Sequence, residues 1–121
     1  MEFIGIIGSR RRNSPKDKQK VYEVYKALYK EGDWIVSGGC PKGGDAFAED
    51  IAKDQGVPII IFYPNWGKYG RGAGFVRNTF IAEKSTLLIA CVAKDRKGGT
   101  EDTIKKFLKN NNKDCLFIVE D

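Results

Sequence analysis

Five short apolar runs punctuate the chain: Phe3 to Ile7, Trp34 to Val36, Val57 to Phe62, Leu87 to Val92 and Cys115 to Val119. Each is nearly continuous rather than alternating, which is the pattern of parallel strands covered on both faces. Between the runs the apolar spacing changes to that of helices. Val21, Val24, Tyr25 and Leu28 fall on one helical stripe, as do Phe47, Ala48, Ile51 and Ala52, and again Ile104, Phe107 and Leu108. Strands and helices alternating through only 121 residues leave room for one α/β domain spanning residues 1–121. The expected architecture is a Rossmann-like, doubly wound sheet of five mainly parallel strands in order 3-2-1-4-5, with helices on both faces and element order β-α-β-α-β-α-β-α-β.

Local signals set the helix boundaries. Ser14-Pro15-Lys16-Asp17 supplies an N-cap, a proline at the first helical position and an acid three residues after the cap. The helix it opens is expected to end near Gly32. The last helix is expected to open at Thr100, whose hydroxyl can cap, with Glu101 and Asp102 near its positive end and Lys105, Lys106 and Lys109 further along.

Three glycine-bearing turns each follow a strand: Gly8-Ser9-Arg10, Ser37-Gly38-Gly39 and Gly98-Gly99-Thr100. In a doubly wound sheet these turns share the carboxyl edge, where ligands bind at the switch point. Glycine lets backbone N–H groups approach an anion, and a helix N-terminus adds unpaired donors. The segment Ser37 to Asp45 is the richest, with Gly38, Gly39, Gly43 and Gly44. Asp45 is placed to cap the following helix or to accept from a ribose hydroxyl. The amides of Gly8, Gly39, Gly43 and Gly99 are expected around a phosphate, with hydroxyls from Ser9, Ser37 and Thr100, charge from Arg10 and Arg77, and Asp45 and Asn78 at ribose or base. A chain reversal by plain glycine turns, and a solvated Arg77 on an exposed helix face, are the alternatives. The long connection from Tyr63 to Gly72 carries Trp66, Lys68, Tyr69 and Arg71, groups able to stack a base and neutralise a phosphate or simply to pack a loop.

Composition narrows the chemistry. There is no histidine, so the commonest general base near neutral pH and the commonest zinc ligand are both missing, and no metal is called for. Cys40, Cys91 and Cys115 are an odd number without metal-ligand spacing, as in a reduced cytoplasm. Cys91 and Cys115 read as core residues, while Cys40 lies at a helix entrance where a thiolate is favoured. The net charge is +5, with a local cluster at Arg10-Arg11-Arg12. Solvated lysine faces account for such a balance, and so does an anionic partner. No apolar run is long enough to cross a membrane. The glycine spacing fits neither Walker A nor a full G-x-G-x-x-G.

Taken in order, Gly-Ser-Arg, Ser-Gly-Gly-x-x-x-Gly-Gly-Asp, Gly-x-x-Arg-Asn ending at Asn78 and Gly-Gly-Thr resemble the SLOG superfamily, closest to its compact YspA-like branch, over Ile4 to about Phe107. The resemblance implies a domain that binds a nucleotide or nucleotide derivative as its ligand, as sensor or processing protein, with no further cofactor. Its LOG members are phosphoribohydrolases that cleave the base from a nucleoside monophosphate with an arginine and a glutamate. The arginine corresponds to Arg77. The glutamate's position is Thr103 here, and a proline before the glycines is Lys97, so Arg77, Glu101 and Asp45 are the candidates for catalysis. Its DprA-like members bind single-stranded DNA, often as dimers. The resemblance is therefore compatible with a single-stranded nucleic-acid partner and with a homodimer.

Overall fold

The computed structural model describes all 121 residues, Met1 to Asp121. Its strands are β1 (Phe3–Gly8), β2 (Trp34–Ser37), β3 (Ile59–Ile61), β4 (Leu87–Cys91) and β5 (Leu116–Val119). Its α-helices are α1 (Pro15–Leu28), α2 (Gly44–Gln55), α3 (Trp66–Tyr69), α4 (Ala73–Lys84) and α5 (Gly99–Phe107). The strands form one all-parallel sheet in the order β3-β2-β1-β4-β5, as the apolar runs imply. The one additional helix, α3, is a single turn within the long connection, opened by the Asn65 side chain accepting from the Lys68 amide at 3.1 Å. No helix is long and apolar enough to cross a membrane.

Successive strand residues point to opposite faces, and the core divides accordingly. Ile4, Ile6, Ile35 and Ile89 pack under α1 and α2 with Val21, Tyr25, Phe47 and Ile51. Ile7, Val36, Leu88 and Ala90 pack on the other face with Ile81 of α4 and Ile104 and Phe107 of α5. The connection leaving β1 thus goes to one face and the connection leaving β4 to the other, which opens a crevice between them at the carboxyl edge.

The proposed start of α1 is realised as a complete capping box: Ser14 Oγ accepts from the Asp17 amide at 3.1 Å, and Asp17 Oδ2 accepts from the Ser14 amide at 3.3 Å. The helix stops at Leu28, short of Gly32, because Asp33 captures the chain beyond it. The Asp33 carboxylate accepts from the Lys30 amide at 2.9 Å and from the Glu2 amide at 2.8 Å, shaping the turn into β2. At α5 the cap is Gly98 with φ 115°, not Thr100, which lies inside the helix and caps nothing. Pro58 has no N–H to give a ladder, and β3 is confined to Ile59–Ile61 on the sheet edge.

Arg12 is buried rather than part of a solvated cluster. It donates to the Val92 carbonyl at 3.1 Å, to the Val119 carbonyl at 2.7 Å and to Asp17 Oδ1 at 2.8 Å, so it ties the turn after β1 to the ends of β4 and β5. Burial works to raise the Asp17 carboxyl, but the hydrogen bonds from Arg12 and Ser14 and the Arg12 charge outweigh it and hold the group below its ordinary value. A lowered carboxyl stabilises the fold above its unfolded-state pKa, and that contribution is lost as pH falls through the folded value. Asp17→Asn is therefore expected to cost about 2–3 kcal/mol near neutral pH, because it strips charge from a buried partner. In urea melts across pH, the gap to wild type should shrink below the ordinary value of 3.8.

Gly44 sets the closest helix–strand approach. A methyl group there would sit 2.1 Å from the Ile7 carbonyl carbon and 2.3 Å from the Gly8 nitrogen, both backbone atoms that cannot swing away. Gly44→Ala is expected to destabilise by about 3 kcal/mol, at the upper end of overpacking costs. Gly56→Ala, at the left-handed C-cap of α2 with open space around it, should cost only about 1 kcal/mol in the same denaturant titration.

Candidate functional site

The crevice between the β1 and β4 exits widens into a cavity of about 990 Å³. Four connections wall it. Gly8, Ser9, Arg10 and Arg11 come from the turn after β1, and Gly38, Gly39, Cys40, Pro41 and Asp45 from the connection entering α2. Tyr63, Pro64, Trp66, Arg71, Gly74, Phe75, Arg77 and Asn78 come from the long connection and α4, while Lys97, Gly98, Gly99, Thr100 and Thr103 come from the entrance of α5. The glycine turns after β1 and β4 do converge, and Gly38 and Gly39 join them.

The second glycine turn is used differently from the sequence expectation. Ser37 is fully buried and its hydroxyl donates to the Asp45 carbonyl at 3.1 Å, so it holds the loop instead of facing the cavity. The Gly43 amide donates to Asn13 Oδ1 at 2.8 Å, and a side chain at its φ of 76° would strike the Ser9 carbonyl at 2.5 Å. Gly44 is pressed on β1. Gly43 and Gly44 therefore lie behind the wall, held there by Asn13 and the β1 backbone. At the entrance of α5, where Gly98, Gly99 and Thr100 line the cavity, the amides of Gly99, Thr100 and Glu101 make no hydrogen bond to any protein group. With a positive end and three unpaired amides, that terminus suits an anion.

Arg77 and Asn78 sit at the centre. The Arg77 guanidinium donates from Nε to Asn78 Oδ1 at 2.9 Å and from Nη1 to the Gly38 carbonyl, which leaves Nη2 without a protein partner. The side chain is four-fifths buried, with 18% of its surface exposed, so it is not a solvated helix-face arginine. Asn78 donates to the Gly99 carbonyl at 3.3 Å and to Asp102 Oδ2 at 3.1 Å. Both amide hydrogens are thus engaged, and Asn78 positions Arg77 and α5 rather than presenting donors to a ribose or base. Asp102 in turn pairs with Lys106 at 2.9 Å, and Lys106 donates to the Phe75 carbonyl at 2.7 Å, which closes a chain of contacts from α5 back to the rim.

Of the acidic candidates, only Asp45 reaches the cavity. Its carboxylate accepts from the Cys40 amide at 3.1 Å and lies 3.9 Å from Arg77 Nη1, so it caps the loop before α2 and not the helix itself. Burial pushes its carboxyl above the ordinary value, and the Cys40 amide, the Arg77 charge and the Gly38 amide offset this only in part. Glu101 is turned away and paired with Arg96 at 2.8 Å, a contact made where Arg96 adopts φ 54°. Cys91 is in the core, where burial pushes its thiol up to about 11, and Cys115 is half-buried under the second core. No cluster of three or more His, Cys, Asp or Glu side chains is placed to hold a metal ion.

The wall also contains groups that sequence reasoning did not assign. Arg11 forms a two-pronged pair with Asp95 at 2.7 and 2.8 Å, fastening the turn after β1 to the turn before α5 across the crevice. Tyr63 and Phe75 are exposed on the rim beside Trp66. The signal for Tyr63 lies in the aromatic content of the long connection, whereas Phe75 lies in α4, where an aromatic residue reads as helix packing. The fold and site define a doubly wound α/β domain with a basic, aromatic-rimmed cavity at its switch point. Comparison with family models, curated proteins and solved structures finds no match to the chain.

A carboxyl raised in the folded state favours folding while protonated, and that advantage is lost as pH rises through the folded value. Wild type should therefore lose stability relative to Asp45→Asn as pH climbs from the ordinary value of 3.8 toward neutrality, a trend opposite in sign to that at Asp17. Chemical denaturation of both proteins over that range reads it directly.

Proposed function

We propose that the protein binds a nucleotide or nucleotide-derived ligand in this cavity, as a SLOG-type sensor or processing protein. The observation that carries the reading is the composition of one wall: cationic side chains and unpaired α5 amides beside a rim of exposed aromatic faces, at the edge where doubly wound sheets take their ligands. Cations and amides suit phosphate, Arg77 Nη2 offers a further donor, and Trp66, Tyr63 and Phe75 offer surfaces on which a base stacks. The order of motifs along the chain supports the same reading.

A second reading, hydrolysis of the N-glycosidic bond, is favoured by Asp45. Bond cleavage builds positive charge on the sugar and needs a carboxylate to position water or balance that charge. Asp45 is the one acid lining the cavity, and Glu101 is held outside by Arg96. Release of free base from a nucleoside monophosphate panel, abolished in Asp45→Asn, is the outcome this reading requires.

Thermal shifts against mononucleotides, dinucleotides, cyclic nucleotides, ADP-ribose and a short single-stranded oligonucleotide test the binding proposal. A ligand at about 100 times its Kd should add about 2.7 kcal/mol of stability. The shift should vanish in Arg77→Ala. No response to any small nucleotide, with a salt-sensitive response to the oligonucleotide, would reject the proposal in favour of nucleic-acid binding.

A further inference from the structure

The cavity wall is electrically unbalanced. Five cationic side chains line it, Arg10, Arg11, Arg71, Arg77 and Lys97, against the single carboxylate of Asp45. Two of the five are already matched: Arg11 by Asp95 at 2.7 Å, and Arg77 by Asp45 at 3.9 Å. Arg10, Arg71 and Lys97 have no acidic group within 4.0 Å and donate no side-chain hydrogen bond. They enter from three different connections, after β1, before α4 and before α5, so their charge converges on one space instead of forming a stripe on one helix.

Three uncompensated cations exceed what one phosphate supplies, since a phosphomonoester carries about −1.5 to −2 at pH 7. A second phosphate linked to the first adds a further full negative charge and more acceptor oxygens. Size agrees, because the cavity lies at the upper end of the range of about 300–1,000 Å³ found for small-molecule sites. We infer that the ligand is a nucleoside diphosphate, told apart from the monophosphate by Arg10, Arg71 and Lys97. The inference rests on the nucleotide reading given above. Arg10 and Arg71 discriminate by holding phosphate oxygens bidentately, and Lys97 by a point charge beside the α5 amides.

The test is isothermal titration at low ionic strength in magnesium-free buffer, so that no added cation neutralises the ligand. The pairs ADP and AMP, GDP and GMP, and UDP and UMP are titrated alongside inorganic pyrophosphate. Wild type is compared with Arg10→Ala, Arg71→Ala and Lys97→Ala, all exposed positions, and with Lys53→Ala on α2, which removes the same charge away from the cavity. At least one diphosphate should bind about tenfold more tightly than its monophosphate. That ratio should fall to about two- or threefold in the Arg10, Arg71 and Lys97 variants and hold in Lys53→Ala. Equal binding of diphosphate and monophosphate overturns the inference and leaves the nucleotide reading standing. A ratio that survives all three substitutions overturns it as well. Pyrophosphate binding as tightly as any nucleotide keeps a two-phosphate site but rejects the nucleotide reading, and no binding by any nucleotide or by pyrophosphate rejects both.

Discussion

The whole arrangement depends on how closely α2 lies on β1. Gly44 at the first position of the helix rests its bare Cα against the Ile7 and Gly8 backbone, at a distance no side chain permits. That contact fixes where α2 begins, and hence where the loop from Gly38 to Gly43 must run. Gly43 then passes beside Ser9, and Gly38 comes close enough to Arg77 for its carbonyl to accept from the guanidinium. Gly43 and Gly44 thus serve backbone-on-backbone packing, while Gly38 and Gly39 make room for the side chains of Arg77, Asp45 and Tyr63. The site inherits its shape from that packing.

A second constraint is polar. The edge of the sheet carrying the cavity is assembled from segments far apart in sequence, and each junction is held by a charged or amide side chain. Arg11 and Asp95 join the turns after β1 and before α5, Arg77 joins α4 to the β2 exit, and Asn78 joins α4 to α5. Donor atoms filled this way cannot also greet a ligand, which separates the groups that build the cavity from those that face it; Arg77 does both, since its Nη2 stays free. Arg10, Arg71, Lys97 and the α5 amides remain on the facing side.

The sheet order and both cores were legible because burial on two faces writes itself as apolar runs, and helix faces write themselves as stripes. Ser14 and Asp17 were legible because a capping box is local. What was not legible depends on distant partners or on backbone geometry. Three consecutive arginines look alike as letters, yet Arg10 is free, Arg11 is paired and Arg12 is buried, according to carbonyls and a carboxylate contributed from residue 92 onward. Gly43 and Gly44 matched a phosphate loop in composition but answer to Asn13 and β1. Glu101 looked available as an acid until the turn at Arg96 brought a guanidinium onto it. The helix α3 has a single turn and therefore no period to read.

Arg12 has one more consequence, for the order in which the chain becomes native. Its guanidinium is satisfied in part by the Val119 carbonyl, 107 residues away. During synthesis the turn after β1 emerges long before that acceptor exists, and a buried cation without its partner is costly. Until β5 docks, water solvates the guanidinium in place of that carbonyl. Docking of β5 therefore completes the sheet edge and supplies the carbonyl that lets Arg12 be buried, so the strand farthest along the chain latches the first turn.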